Sequence, residues 1–562
     1  MSDKIKFFSL GGLDENGKNL SVIEINDDIY IFDAGIKYPD KRVPGVDCII
    51  PNFNYLKENA HRVKAYLVSH AHDDQMGAIP YLYRRIPAPI YCSSITASLI
   101  KNKTLQYGLK PIDYDFRITE GGKTKIDGRE FIFIRMTHSV PGALSVAMDT
   151  DQGYIVYTSD FIIDFGAAGE NKMDFNLLTS LPLKKRVLLL LAESCDSDKP
   201  GHTSPHHRIT PHIQRAFSES IGRIFIAVYA QNLYNMREIL DLAVKTNKKV
   251  IFLTDEVSKL FSEEIIEQIF HLPSANRANI SDINRIREQD LLIVIDGCGE
   301  DVFQTLIQLS NGDLYSNIVF NENDTFILDC PSVPGTETIS IEAIDDVYKT
   351  GAHVVNLSRK EIFSMHAREE DLKMLLTMLT PKYYIPIKGD YRQLMANAKI
   401  ALSLNLGYNH NNIFVFDNGM ILNINDGIAR PDFKATVENG DILVDGIGVG
   451  NVVDSVIEER IKMANDGVII LGAVISSKEK KIITCQDVQM RGFIFLKDSE
   501  NIVRQINSMF EDSLHTYVSN YYRDNEKELL DKIADKISRF VRRETKKQPL
   551  VIPNIIDIDA RR

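Results

Sequence analysis

At 562 residues, with 44% hydrophobic and 25% charged residues, the chain is too long for one core and too apolar for bulk disorder, so roughly two to four globular domains are expected. A formal net charge of −12 argues against a general polyanion binder, because phosphate neutralisation needs clustered Lys and Arg. The short basic groups Lys184-Lys185-Arg186 and Arg542-Arg543 with Lys546-Lys547 read as solvated surface.

From the start to about residue 195, β-branched or aromatic runs each end in acidic or histidine residues: "DDIYIFDAG", "VKAYLVSHAHDD", "EFIFIRMTHSV", "GYIVYTSDF" and "VLLLLAESC". Laid side by side in a sheet, such strands bring Asp33, His70, His72, His138, Asp160 and Glu193 to one edge, where a site is expected. From about 208 to 358, helical patterns at "IQRAFSESI" and "LYNMREILDLAVKTN" alternate with strand runs at "RIFIAVYA", "KVIFLTD", "LLIVID" and "NDTFILD", the rhythm of an inserted α/β domain. The strand-then-site form returns at "PKYYIPIKGDYR". Near residue 440 a turn-rich stretch opens a small α+β domain with strands at "DGVIILGAVIS" and "KKIITC". A helix there carries Leu530, Ile533, Ile537, Phe540 and Val541 on one stripe, and the tail "PLVIPNIIDID" tolerates its prolines as an edge strand. The expected division is therefore 1–207 and 359–439 for a first domain in two parts, 208–358 for the insertion and 440–562 for the last domain.

Six cysteines, at 48, 92, 195, 298, 330 and 485, lack C-x-x-C spacing; they read as reduced thiols, and none as a metal ligand. The most apolar run, "VLLLLA", is too short to cross a bilayer, so a soluble cytoplasmic protein without membrane association is expected. His202, His206 and His207 follow a Pro-Gly turn and read as solvent-facing loop residues.

His70, His72 and Asp74 supply imidazole nitrogens and a carboxylate at metal-binding spacing, and His138 and Asp160 each end a separate strand. Such a donor set suits Zn2+ or Mn2+ rather than calcium.

The ordered set "LGGLDENGKN", "DAGIKYPD", "SHAHDDQMGAIPYL", "THSVP", "TSDF", "DKPGHT", "SMHAREEDLKMLL" and "IPIKGDYR" resembles the motifs of the ribonuclease J family over nearly the full chain. The resemblance implies an α/β fold: a metallo-β-lactamase αββα sandwich with an inserted β-CASP α/β domain and a small C-terminal α+β domain. It also implies 5′-to-3′ exonuclease and endonuclease activity on RNA bearing a 5′-monophosphate, in mRNA decay and rRNA maturation.

By that resemblance His70, His72, His138 and Asp160 form a complete first metal position. Asp74 belongs to a second, where Gln75 and Lys388 replace histidines, so one Zn2+ or Mn2+ per chain at most is expected. Lysine at neutral pH has no lone pair to donate, and its ammonium is expected to hold Asp74 and Asp160 as an ion pair. Asp74, Asp160 and Glu193 are the candidate catalytic carboxylates. In "IFSMH", Ser364 and His366 are candidate phosphate contacts, while Ile362 and Met365 replace a histidine and a glycine. "PSVPGT" keeps Ser332 and "AQNLYN" keeps Asn232 as further RNA contacts.

The expected function is a weak or inactive subunit acting with a competent paralogue, or with itself as a homo-oligomer. A slow single-metal ribonuclease acting alone, a purely structural assembly subunit and a hydrolase of another substrate on the same fold remain the alternatives.

Overall fold

The computed structural model describes residues 2–40, 42–257, 267, 269–270, 272–315, 318, 320–333, 335–446, 448–450, 454–493, 500–519 and 526–559. It divides into two compact units, Met1–Tyr38 with Cys48–Ile442, and Pro39–Asp47 with Leu443–Arg562.

The first unit is built on two facing sheets. One has eight strands in the order Ile428–Thr436, Met420–Asn425, Ile5–Gly11, Leu20–Ile25, Asp28–Phe32, Val63–Leu67, Ile90–Cys92, Phe116–Ile118. The other has six: Tyr383–Ile387, Val187–Glu193, Gly153–Tyr157, Leu144–Thr150, Arg129–Arg135, Gly122–Ile126. Strand periodicity sorts the apolar side chains between two cores. Phe131, Phe133, Leu189 and Leu191 point inward against Phe7, Tyr30, Phe32 and Leu67 of the facing sheet. Ile132, Ile134, Leu190 and Ala192 point outward and are covered by Leu178, Leu181, Leu372, Leu375 and Leu376 of the helices Phe175–Lys184 and Glu369–Leu379. A sheet covered on both faces explains why "VLLLLAE" is apolar without alternation. Burying each such Leu or Phe stabilises by about 1.5–3 kcal/mol relative to exposure.

Between Val187–Glu193 and Tyr383–Ile387, which pair in parallel, the chain leaves the sandwich and builds a separate five-stranded sheet. Its order is Lys249–Phe252, Leu291–Gly297, Ile224–Tyr229, Thr325–Asp329, His353–Asn356, with every pair parallel. Its own core gathers Phe225, Ile251, Ile293, Phe303, Phe326 and Val347. The architecture is thus a two-sheet sandwich interrupted by a separate parallel α/β sheet, the arrangement expected from the sequence.

In the second unit, Val468–Ser476 lies between Lys481–Arg491 and Leu550–Asp557, against the helices Glu500–Ser519 and Glu526–Thr545. Ile533, Ile537, Phe540 and Val541 are buried and Leu530 is half-buried, as the stripe requires. Leu550–Asp557 is an edge strand, where Pro553 removes no ladder bond on the open side. Among the described residues no helix is long and apolar enough to cross a membrane.

Candidate metal centre

The site sits where strands of both sheets end. His70 and His72 follow Val63–Leu67, His138 follows Arg129–Arg135, and Asp160 follows Gly153–Tyr157. Glu193 closes Val187–Glu193, and Lys388 follows Tyr383–Ile387. Because these last three strands are neighbours, Asp160, Glu193 and Lys388 arrive side by side. Asp33, Ser159 and Lys388 all adopt left-handed backbone at φ 59°, 65° and 56°, which turns the chain sharply past each strand end. Three non-glycine residues in that region cost on the order of 1–3 kcal/mol each, and their clustering marks a functional site. At Gly35, an added Cβ would lie 1.6 Å from the Asp74 carbonyl oxygen, so only glycine lets the two segments approach.

His70 Nε2 and His138 Nε2 lie 3.0 and 3.2 Å from His72 Nδ1, and Asp160 Oδ2 lies 3.5 Å from His70 Nε2. Their hydrogen bonds fix the tautomers. His138 Nδ1 donates to the Met365 carbonyl at 2.8 Å, so its Nε2 carries a lone pair. Ser69 Oγ donates to Asp33 and therefore accepts from His70 Nδ1 at 3.0 Å, which leaves His70 Nε2 as a lone pair too. Burial foremost holds His70 and His138 well below the ordinary imidazole range and takes His72 down to about 4, so all three are neutral. Two lone pairs converging on one imidazole nitrogen cannot all be satisfied by protons. Tetrahedral Zn–N bonds of about 2.0–2.1 Å separate ligand nitrogens by about 3.3–3.4 Å, close to the spacing here. The donor set fits a divalent ion.

Next to it, a second ion does not fit. Lys388 Nζ lies 3.0 Å from Asp160 Oδ1 and 3.5 Å from Asp33 Oδ2, with its ammonium 5.3 Å from the Tyr157 ring centroid. Burial opposes its charge, but Asp160, Tyr157 and Asp33 outweigh this and hold Lys388 well above the usual lysine range. Burial likewise works against the charged form of Asp160, yet Lys388 foremost keeps it far below the usual carboxylate range. Lysine therefore pairs with Asp33 and Asp160, not with Asp74 as the sequence suggests. Asp33 is held by Ser69 N, Ser69 Oγ and Tyr157 Oη at 2.7, 2.9 and 2.6 Å.

Gln75 turns its amide nitrogen, not its oxygen, toward the neighbouring carboxylates. Its Nε2 donates to Asp74 Oδ2 at 2.8 Å and Asp160 Oδ2 at 3.1 Å, an orientation the two carboxylates dictate. Asn19 Nδ2 adds a donor to Asp74 Oδ2 at 3.0 Å. Burial and the neighbouring Asp160 push Asp74 up to about 7. Amide and ammonium hydrogens thus occupy the carboxylate oxygens that a second ion would use.

Glu193 Oε1 accepts from Phe161 N and Ala367 N at 2.7 and 3.1 Å, and Oε2 from His366 Nδ1 at 2.7 Å. Burial works against a charged His366, but Cys195 and Glu193 hold it well above the imidazole range. The His366 ring lies 5.5 Å from that of His138. Ser364 Oγ donates to Asp196 Oδ2 at 2.6 Å. Met365, which stands in place of a glycine, buries its side chain against Ile162 and Tyr234.

Asn232 accepts from Asn235 N at 3.2 Å and caps the helix Leu233–Lys245, and the Ser332 carbonyl accepts from Arg359 Nε at 3.3 Å. Asn232 stands between Gln231, whose Nε2 donates to Asp73 Oδ2 at 3.0 Å, and Tyr234, whose N donates to the Ser139 carbonyl at 2.9 Å, so this end of the insertion's helix reaches the residues beside His72 and His138; Pro334, between Ser332 and Gly335, is outside the described residues. His207 is buried with Nε2 3.5 Å from Asp164 Oδ2, so the solvent-facing reading fails for it, whereas His206 is exposed and His202 partly so. Cys195, set aside on spacing, falls beside Glu193 and His366.

Four family models tile the chain. A metallo-beta-lactamase superfamily model matches residues 13–210, and a ribonuclease J beta-CASP domain model 221–347. A Zn-dependent metallo-hydrolase RNA specificity domain model matches 354–409, and a ribonuclease J C-terminal domain model 455–558. "Ribonuclease J 2" of Staphylococcus aureus is 28% identical over 557 residues, covering 99% of this chain and 98% of that protein. The protein of that name from Staphylococcus epidermidis is similar to the same extent. A crystal structure of a protein of unknown function from Enterococcus faecalis V583 shares the fold, with a TM-score of 0.52, 15% identity, 75% of this chain covered and 100% of that one.

Proposed function

We propose that the chain is a ribonuclease J-type RNA-processing protein that binds RNA and one divalent ion while its own hydrolysis is weak or lost, a reading supported by the matches to ribonuclease J domain models and to "Ribonuclease J 2" over nearly the full length. The observation that carries this reading is the Lys388 ammonium, 3.0 Å from Asp160 where a second ion would need that carboxylate.

His70, His72, His138 and Asp160 would hold one ion, which would supply Lewis acidity, whereas clamping both sides of a phosphodiester displacement takes two ions. The neutral imidazoles offer lone pairs, and Ser69 with the Met365 carbonyl fixes their orientation. Glu193 orients His366, whose cationic ring faces the centre and suits an RNA phosphate oxygen; Ser364 offers a hydroxyl nearby. Asp160, held far below the usual carboxylate range by Lys388, is a poor base, and both Asp74 and Asp160, bonded to Gln75 and Lys388, are poor ligands for a further cation. Ser332 and Asn232 are assigned to the RNA path on the insertion.

In the cell the protein acts as a subunit beside a catalytically competent paralogue, contributing RNA binding and subunit contacts. The physiological ion is Zn2+ or Mn2+, manganese being the better tolerated where Gln75 replaces a nitrogen donor. The test is degradation of 5′-monophosphorylated RNA by the purified chain under zinc and under manganese, with filter retention of the same RNA. Binding with slow or no degradation supports the proposal; rapid processive degradation by the unmodified chain overturns it, and failure to retain RNA favours a purely structural subunit.

A further inference from the structure

We propose that Glu193, Cys195 and His366 form a separate thiophilic metal position that takes Zn2+, or a similarly sulfur-seeking divalent cation, and rejects Mn2+.

A carboxylate oxygen, a thiol sulfur and a ring nitrogen of these residues all lie within 4.8 Å of one another. Oxygen, sulfur and nitrogen from three protein residues make a donor set that suits zinc, and the thiolate selects against manganese. The residues are positioned by the fold, not by a floppy loop. Glu193 ends a central strand, Cys195 lies two residues on, and His366 precedes the helix Glu369–Leu379. Two backbone amides anchor Glu193 Oε1 and leave Oε2 as the oxygen turned toward His366. The Cys195 S–H donates to the Lys388 carbonyl oxygen at 3.7 Å, a contact the sulfur gives up when it binds as a thiolate. Asp196, engaged by Ser364 and Lys199, is not a ligand.

The two positions share no ligand, since the first uses His70, His72, His138 and Asp160. Lys388 touches both: its ammonium bars a second ion beside Asp160, while its carbonyl accepts the Cys195 S–H until the thiol is deprotonated. The inference concerns zinc and thiolate chemistry and does not rest on the level of RNA hydrolysis. Binding forms metal–thiolate and metal–imidazole bonds and releases two protons to solvent, one from the Cys195 thiol and one from the His366 imidazolium, so the ion takes the place of the charge that His366 carries without it.

The experiment loads the full chain with Co2+ as a zinc probe. Cobalt bound through sulfur gives an intense near-ultraviolet charge-transfer band that nitrogen and oxygen ligands do not give. We expect the band in the unmodified chain, its loss in Cys195→Ser with one fewer cobalt per chain, and its persistence in His72→Ala, which disables the other position. A second readout uses the unmodified protein alone: alkylation of Cys195 by iodoacetamide, mapped by mass spectrometry, slows several-fold with zinc and not with manganese. Absence of the band, its survival in Cys195→Ser, its loss in His72→Ala, or alkylation indifferent to zinc overturns the proposal. If Cys195→Ser does not fold, the alkylation result decides. Manganese content of the unmodified chain reads the trihistidine position independently, so either reading can fail without the other.

Discussion

Lys388 places its ammonium 3.0 Å from Asp160, both nearly inaccessible to solvent, and this pair sets what the metal centre can hold. A cation already sits on the carboxylate that would have to join two ions, and Asp33 supplies a further negative charge at 3.5 Å.

Removing that cation is expected to be costly. Lys388→Met leaves Asp33 and Asp160 buried with no compensating charge, a change worth about 3–5 kcal/mol of destabilisation. Thermal melting should show a marked loss, and added manganese should recover part of it in the variant but much less in the unmodified chain. An unchanged melting temperature would mean that the pair contributes nothing.

Rebuilding the second position requires both departures to be reversed. Gln75→His together with Lys388→His removes the donors now bonded to Asp74 and Asp160 and adds two nitrogen ligands. Manganese content should rise from one to two ions per chain, with a gain in degradation of 5′-monophosphorylated RNA. A second ion without activity would locate the remaining deficit at Ile362 and Met365.

Restoring glycine at 365 alone should harm the protein. The Met365 side chain is buried against Ile162 and Tyr234, so Met365→Gly opens a cavity and costs about 2–4 kcal/mol. Denaturant unfolding reads the loss, and no gain in RNA hydrolysis should accompany it.

A pH effect is expected in the insertion. Burial pushes Asp329 up to about 7, with only the Asn235 amide, 2.8 Å from Oδ2, favouring its ionised form. Its folded-state pKa is raised, so between about 4 and 7 the folded chain keeps a proton that the unfolded chain releases, and stability falls as pH rises through that window. Asp329→Asn should flatten this dependence, the two proteins differing by on the order of 4 kcal/mol at full ionisation. Amide exchange across Thr325–Asp329 from pH 4 to 8 measures it; parallel profiles would sink the assignment.

How far the sequence carried the structure varied with the kind of interaction. Strand ends bearing His70, His72, His138, Asp160 and Glu193 were legible because apolar runs define strands and sheets align their ends. Partnerships across the sandwich were not. That Lys388 would meet Asp33 in place of Asp74 depends on sheet order and left-handed turns at Asp33, Ser159 and Lys388, which no spacing encodes. The orientation of Gln75 likewise follows from two carboxylates meeting it in space. Cys195 escaped because metal-ligand spacing is sought along the chain, while its companion His366 lies far downstream, and His207 escaped because a loop after Pro-Gly gives no sign of the Asp164 beside it.

The ammonium of Lys388 differs from any ion it displaces in one respect: it is covalently tethered and cannot be withdrawn by a chelator or run short in a metal-starved cell. Asp33, Tyr157 and Asp160 therefore stay assembled around a built-in counter-charge, and this half of the pocket keeps its shape whatever the surrounding supply of zinc or manganese.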